Sequence, residues 1–171
     1  MTSRRFLRDI FPVLLWLGVI FFLSTDNGSA NHTNSFLDRA LQFISGGAIR
    51  LTAAQLDVWH YCVRKAAHMS EYLILAALTV RAIAKSQWGE VRPGRMALLA
   101  WGFATFYAMT DEFHQRFVSS RTPKATDVLF DSFGALLGVG VAFGITYYRR
   151  TRRTRSAETR VARPQSLNET S

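Results

Sequence analysis

The chain has one cysteine, four prolines and twelve acidic residues against twenty-one basic ones. The lone Cys62 excludes an intramolecular disulfide and a cysteine-based zinc cluster. No nucleic-acid motif and no basic face interleaved with aromatics occurs, so the formal charge of +9 does not read as a nucleic-acid footprint. Uninterrupted apolar runs of spanning length are also scarce. Crossing a bilayer takes about 20 apolar residues in a helix, and only the run from Val128 to Tyr148 meets that without help.

Three further apolar stretches are present: Phe6 to Leu23, Tyr72 to Ala84 extended back through Ala66 and Ala67, and Met96 to Met109. The last two reach spanning length only by taking in Lys65, His68 and Glu71, or Asp111 and Glu112. Those residues would then lie at or just inside the interface. The pattern predicts an all-α polytopic membrane protein, a four-transmembrane-helix bundle over residues 6–148. A basic tail follows over residues 149–171, poor in large apolar residues and read as disordered and cytoplasmic. The first stretch imitates a secretory signal, with Arg4, Arg5 and Arg8 before it and Gly28-Ser29-Ala30 after it. Phe6 and Leu7 lengthen the run and Arg8 can snorkel, so the segment is read as retained. Between Ser35 and Trp59, the residues Phe36, Leu37, Ala40, Leu41, Phe43 and Ile44 share a helical face, interrupted by Gly46-Gly47, which predicts an outer interfacial helix between the first and second spans.

Charge distribution sets an orientation. The N-terminus, the segment Arg81 to Arg95 and the C-terminal tail hold fourteen of the basic residues. The other two connections and their flanking helix ends hold seven, with eight of the twelve acidic residues. By the positive-inside rule both termini are expected to be cytoplasmic. Lys65, His68 and Glu71 then open the second span on the outer side. Asp111, Glu112, His114 and Gln115 follow the third span on the same side, and Asp127 and Asp131 open the fourth.

Ionisable residues so close to hydrocarbon mark a functional site by default, because charge there costs several kcal/mol unless paired or wet. Lys65, His68, Glu71 or Tyr72, and Leu75 recur at helical spacing and share a stripe. Tyr107, Asp111, His114 and Gln115 form a second stripe with Glu112 beside it. Asp127 and Asp131 align with Gly134 and Gly138. The spacing Gly134-x-x-x-Gly138, repeated in Gly140-x-x-x-Gly144, permits close helix approach, so the Asp stripe is expected to point into the bundle.

Several chemistries fit this set. His68, Glu71 and His114, with some of Asp111, Glu112 and Asp127, could bind a divalent metal that activates water, although the spacings match no strict metal signature. A carboxylate and a histidine could act as general base and acid on a lipid-linked or envelope substrate, with Lys65 and Arg121 holding its anionic group. The cluster could bind a ligand or carry protons without covalent chemistry. It could also do no more than pair Lys65 and Arg121 with Glu71 and Asp111, keeping three helices in register. The run Ser120-Arg121, Asp127 and Asp131 echoes a lipid-phosphate phosphatase motif, but Asp127 stands where the nucleophilic His would be. No role is assigned to Cys62, His32 or His60.

The block Arg64, Lys65, His68, Glu71, Tyr72, then Tyr107, Ala108, Asp111, Glu112, His114, Gln115, then Arg121, Asp127 and Gly134 resembles the VanZ-like family of bacterial membrane proteins. The resemblance covers roughly Phe11 to Tyr148, and departs in Ser119-Ser120, where a Pro-Gly type turn is usual. It implies a multi-helix protein of the cell envelope, and the name-giving member is linked to low-level teicoplanin resistance. The partners so implied are the bilayer and a lipid-linked envelope precursor or a glycopeptide. No nucleic acid is expected, and no cofactor beyond the divalent metal already considered.

Overall fold

The computed structural model describes residues 3–25, 30–49, 51–85, 91–117 and 125–161. Among the described residues there are five helices and no strand: α1 (Ser3–Ser24), α2 (Ala30–Ile44), α3 (Ala53–Lys85), α4 (Pro93–Gln115) and α5 (Ala125–Val161). The all-α expectation is met. Two helices are long and apolar enough to cross a membrane, α1 over Leu7–Ser24 and α5 over Thr126–Arg149. In α3 and α4 the apolar stretches are diluted by Ala, Gly, Thr and Tyr and by ionisable residues.

Three helix boundaries differ from those expected. First, α3 starts at Ala53 rather than near Lys65. Thr52 and Gln55 form a reciprocal cap, the Thr52 N–H donating to Gln55 Oε1 at 2.9 Å and the Gln55 N–H to Thr52 Oγ1 at 3.4 Å. This cap satisfies orphan donors at the helix start, and no Gly or Pro interrupts residues 53–64. The interfacial segment breaks at Gly46 and Gly47 as its sequence predicts, where φ values of +58° and +79° end α2 in a left-handed turn of the kind glycine tolerates, and the residues from Ala53 to Trp59 belong to α3. The Gly47 N–H donates to Gln42 O at 2.9 Å across that turn.

Second, α4 begins with Pro93 in its first turn, where a missing N–H costs nothing, and runs to Gln115. Asp111, Glu112, His114 and Gln115 are therefore its last turn rather than the loop after it. Third, α5 continues to Val161, so residues 149–161 of the tail expected to be disordered are helical. Between Gly144 and Pro164 the chain has neither Gly nor Pro, and Arg, Ala and Glu favour helix. Residues 162–171 lie outside the described residues.

Beside Ile20, Tyr72 and Leu75, much of the interior is small or polar, and much of the exterior is large and apolar. Ala76, Ala100, Ala104, Ala108 and Ala135 are buried, as are Asp9, Ser24, Thr79, Asp111, Glu112, Gln115 and Asp131. Leu7, Phe11, Leu14, Phe22, Leu98, Phe106, Leu129 and Leu136 are all more than half exposed. A domain folded in water places these classes the other way round. Small residues inside let backbones approach, as helices do in lipid.

The closest approach joins α3 to α5. A Cβ on Gly134 would strike the backbone oxygen of Met69, and one on Gly138 the backbone oxygen of Leu73. Advancing four residues on one helix advances four on the other, so α3 and α5 run parallel. Tyr107 bonding to Leu17 O at 2.9 Å, and the His114 ring lying 4.9 Å from that of Phe21, make α1 and α4 parallel in the same way. Among the described residues the second glycine pair, Gly140 and Gly144, has nothing within 4 Å, so of the two pairs the first is the one that packs against them.

Gly134→Val or Gly138→Val should therefore push α3 from α5 and cost about 1–3 kcal/mol, as overpacking does. Gly140→Ala and Gly144→Ala should be neutral or stabilising by up to about 1 kcal/mol, since Ala outranks Gly in a helix. Thermal unfolding of the four variants in one detergent checks the contrast.

Candidate functional site

The parallel register of α3 and α5 decides which polar residues meet. Lys65 on α3 reaches the Oδ2 of Asp127 on α5 as an ion pair, both side chains mostly buried. The Lys65 ammonium also lies 5.4 Å from the Tyr61 ring centre and 5.8 Å from that of Phe130, distances at which a ring face attracts a cation. One turn along α5 from Asp127, Asp131 is buried, with Lys65, Glu71, Asp111 and Asp127 as its charged surroundings. The expectation that the Asp stripe points inward is met at Asp131.

The end of α4 supplies the opposite wall. Asp111 and Gln115 are buried one turn apart, and Gln115 Nε2 donates to Asp111 Oδ2 at 2.9 Å. Glu112 is buried beside them. Tyr72 has no exposed surface and stands among Asp111, Asp131 and Glu71; Asp111 is within reach of its hydroxyl, but no hydrogen bond of normal geometry closes. On α3 the His68 Nδ1 lies 3.6 Å from Glu71 Oε2, a contact within one helical turn.

The stripe expected on α4 divides between two neighbours. Asp111 and Gln115 face the interior between α3 and α5. Tyr107 and His114 turn to α1, Tyr107 through its bond to the Leu17 carbonyl and His114 against the Phe21 ring. Tyr107 is thus a strut between helices. Arg121 lies outside the described residues. Lys65, Tyr72, Asp111, Gln115, Asp127 and Asp131 gather at one end of the bundle, with His68, Glu71, Glu112 and His114 around them. Among the described residues no group of three or more His, Cys, Asp or Glu side chains is disposed to hold a metal ion.

Several participants carried no sequence signal strong enough to single them out. Trp16 donates to the Glu71 carbonyl at 2.8 Å and so ties α1 to the site-bearing turn of α3. Trp101 and Thr105 on α4 meet Ser132 on α5, at 3.1 Å and 3.0 Å from its Oγ. On α1 the inward residues Asp9, Val13, Trp16, Ile20 and Ser24 have a helical period that the uniform hydrophobicity of the run conceals. Ser24 Oγ, Tyr72 Oη and His114 Nδ1, one from each of α1, α3 and α4, are buried without a hydrogen-bond partner among the described residues. Buried polar atoms are nearly always paired, so three orphans near one end of the bundle are unusual.

Lys65→Met should strand Asp127 and destabilise by about 1–3 kcal/mol, between the small value of an exposed pair and the 3–5 kcal/mol of a fully buried one. Adding Asp127→Leu should restore most of that loss, measured as unfolding midpoints of the single and double variants. No curated protein and no solved structure matches this chain. The VanZ/LLP1 family profile matches residues 9–147, which takes in α1 from Asp9, all of α2, α3 and α4, α5 as far as Tyr147, and every residue of the polar end described above. The chain therefore belongs to the VanZ-like family.

Proposed function

We propose that the chain is a four-span protein of a bacterial cell membrane, with both termini cytoplasmic, whose polar end faces outward and recognises or acts on a cell-envelope molecule. The observation that carries this reading is the convergence of buried carboxylates from α4 and α5 with the orphan Tyr72 hydroxyl. Unpaired polar atoms in a low-dielectric site cost free energy, and a ligand with complementary groups would recover it.

Spanning by α3 and α4 is supported by their place in the bundle and by their surface. Both pack against the two long apolar helices, and α4 presents Leu98, Leu99, Phe106 and Met109 outward. Orientation is supported by the basic residues: the polar end lies opposite Arg81, Lys85, Arg92, Arg95 and Arg149. Within the site, Glu71, Glu112, Asp111 and Asp131 supply carboxylates for general acid–base work, His68 and His114 lie at its edge, and Lys65 offers a cation to an anionic substrate. The VanZ-like family suggests a lipid-linked envelope precursor or a glycopeptide as the molecule engaged.

A bracing role is the second reading, favoured by the Lys65–Asp127 pair and the Gln115–Asp111 bond, which hold neighbouring turns. Glu71→Gln and Glu112→Gln separate the two. If the site engages a glycopeptide, expression of the wild-type chain should raise glycopeptide tolerance, and each variant should lose that gain while keeping its abundance in membranes. A matched fall in abundance would identify bracing instead. Reporter fusions after Lys85 and Ser120 should report cytoplasm and exterior respectively, and an exterior signal from the Lys85 fusion would overturn the orientation.

A further inference from the structure

A second concavity lies away from the polar end. Asp38, Leu41 and Gln42 on one face of α2, Gly47 and Ile49 in the left-handed turn, Leu51, and Leu56 in the first turn of α3 line a half-open cleft of about 470 Å³, a size usual for small-molecule sites. Leu56 precedes Lys65 by nine residues, about 14 Å along a helix, so the cleft and the polar end are separate. A hydrogen bond fixes the wall: His60 Nε2 lies 2.7 Å from Asp38 Oδ1, tying α2 to α3.

The corner that carries the cleft exposes apolar side chains: Phe43 is 89% exposed and Ile44 84%, both just after the lining residue Gln42 in sequence, and the lining residue Ile49 is 49% exposed. So much exposed apolar surface on a short amphipathic helix belongs in the membrane interface. Inside, the lining joins four aliphatic side chains to the Asp38 carboxylate and the Gln42 amide. A carboxylate has acceptor sites beyond the one His60 occupies, and it opposes an anionic head.

We infer that this cleft holds a membrane lipid by the upper part of its chain and by a head group that carries an ammonium. The inference rests on the reading that the α2–α3 corner meets the membrane surface. Aliphatic walls take the chain, Asp38 pairs the ammonium, Gln42 bonds the linking polar atoms, and the exposed Phe43 and Ile44 beside the cleft enter the bilayer from which the lipid comes.

The test uses the full chain in nanodiscs of phosphatidylethanolamine and phosphatidylglycerol, doped with either lipid carrying a photoreactive acyl chain, and maps adducts by mass spectrometry. The phosphatidylethanolamine probe should label residues 38–56 about fivefold more than the phosphatidylglycerol probe, the ratio given by about 1 kcal/mol of discrimination. Leu56→Trp should fill the cleft and remove that labelling. Asp38→Asn should abolish the head-group preference, and His60→Gln, which keeps a donor to Asp38, should retain it. Labelling of the outward face of α5 at Leu136 and Leu137 should stay constant in all variants and reports that the bundle is folded. Equal labelling by both probes, or labelling of residues 38–56 that Leu56→Trp leaves unchanged, overturns the cleft while the membrane reading stands. Adducts on α5 with none on residues 38–56 overturn the placement of the corner at the interface as well.

Discussion

The contact of two glycines with two backbone oxygens governs the rest of this bundle. Apolar side chains gain nothing by leaving lipid for a helix interface, so close packing and interhelical hydrogen bonds must supply the association. Gly134 and Gly138 let α5 lie on the backbone of α3 at Met69 and Leu73. That approach sets the axial register, and the register brings Lys65 to Asp127 and Asp131 within electrostatic reach of the Tyr72 hydroxyl. The glycine stripe and the polar stripe are one face of α5, used for packing at one end and for charge at the other.

Alanine does comparable work on the second interface. Ala100, Ala104 and Ala108 bury one face of α4, and the same face then ends in Asp111, Glu112 and Gln115. The small residues bring the helix close enough for its last turn to reach the others. From the far side α1 supplies the carbonyl for Tyr107 and the ring for His114, while Trp16 binds the Glu71 carbonyl. Each such bond is modest in lipid, about 0.6 kcal/mol on average. Together they orient the turns that carry the ionisable groups.

This arrangement reconciles charge with an apolar surround. The carboxylates occupy the end of the bundle where α3 extends beyond what a bilayer requires: at 33 residues it is about 50 Å long, against about 30 Å of hydrocarbon. The α2–α3 corner lies beyond that end and carries its own Asp38–His60 hydrogen bond and cleft. In the proposed orientation two recesses lie at different heights on the outer side, one rich in carboxylates and one mostly aliphatic.

Much of this was legible in the residues. Period-3.6 spacing put Lys65, His68 and Tyr72 on one stripe and Asp127, Asp131, Gly134 and Gly138 on another, because a helix repeats its faces whatever surrounds it. All-α architecture and VanZ-like membership also follow from sequence. Other features depended on contacts that no local pattern encodes. The sequence has two equivalent glycine pairs, and only packing decides that Gly134 and Gly138 meet α3 while Gly140 and Gly144 meet nothing among the described residues. Tyr107 and His114 share a stripe with Asp111, yet α1 draws them aside because a carbonyl and a ring lie there. The pairing of His60 with Asp38 joins residues of two helices across a glycine turn. Helical periodicity by itself determined which side chains share a face; the tertiary structure alone decided which face meets which, since that depends on backbone approach between segments distant in the chain.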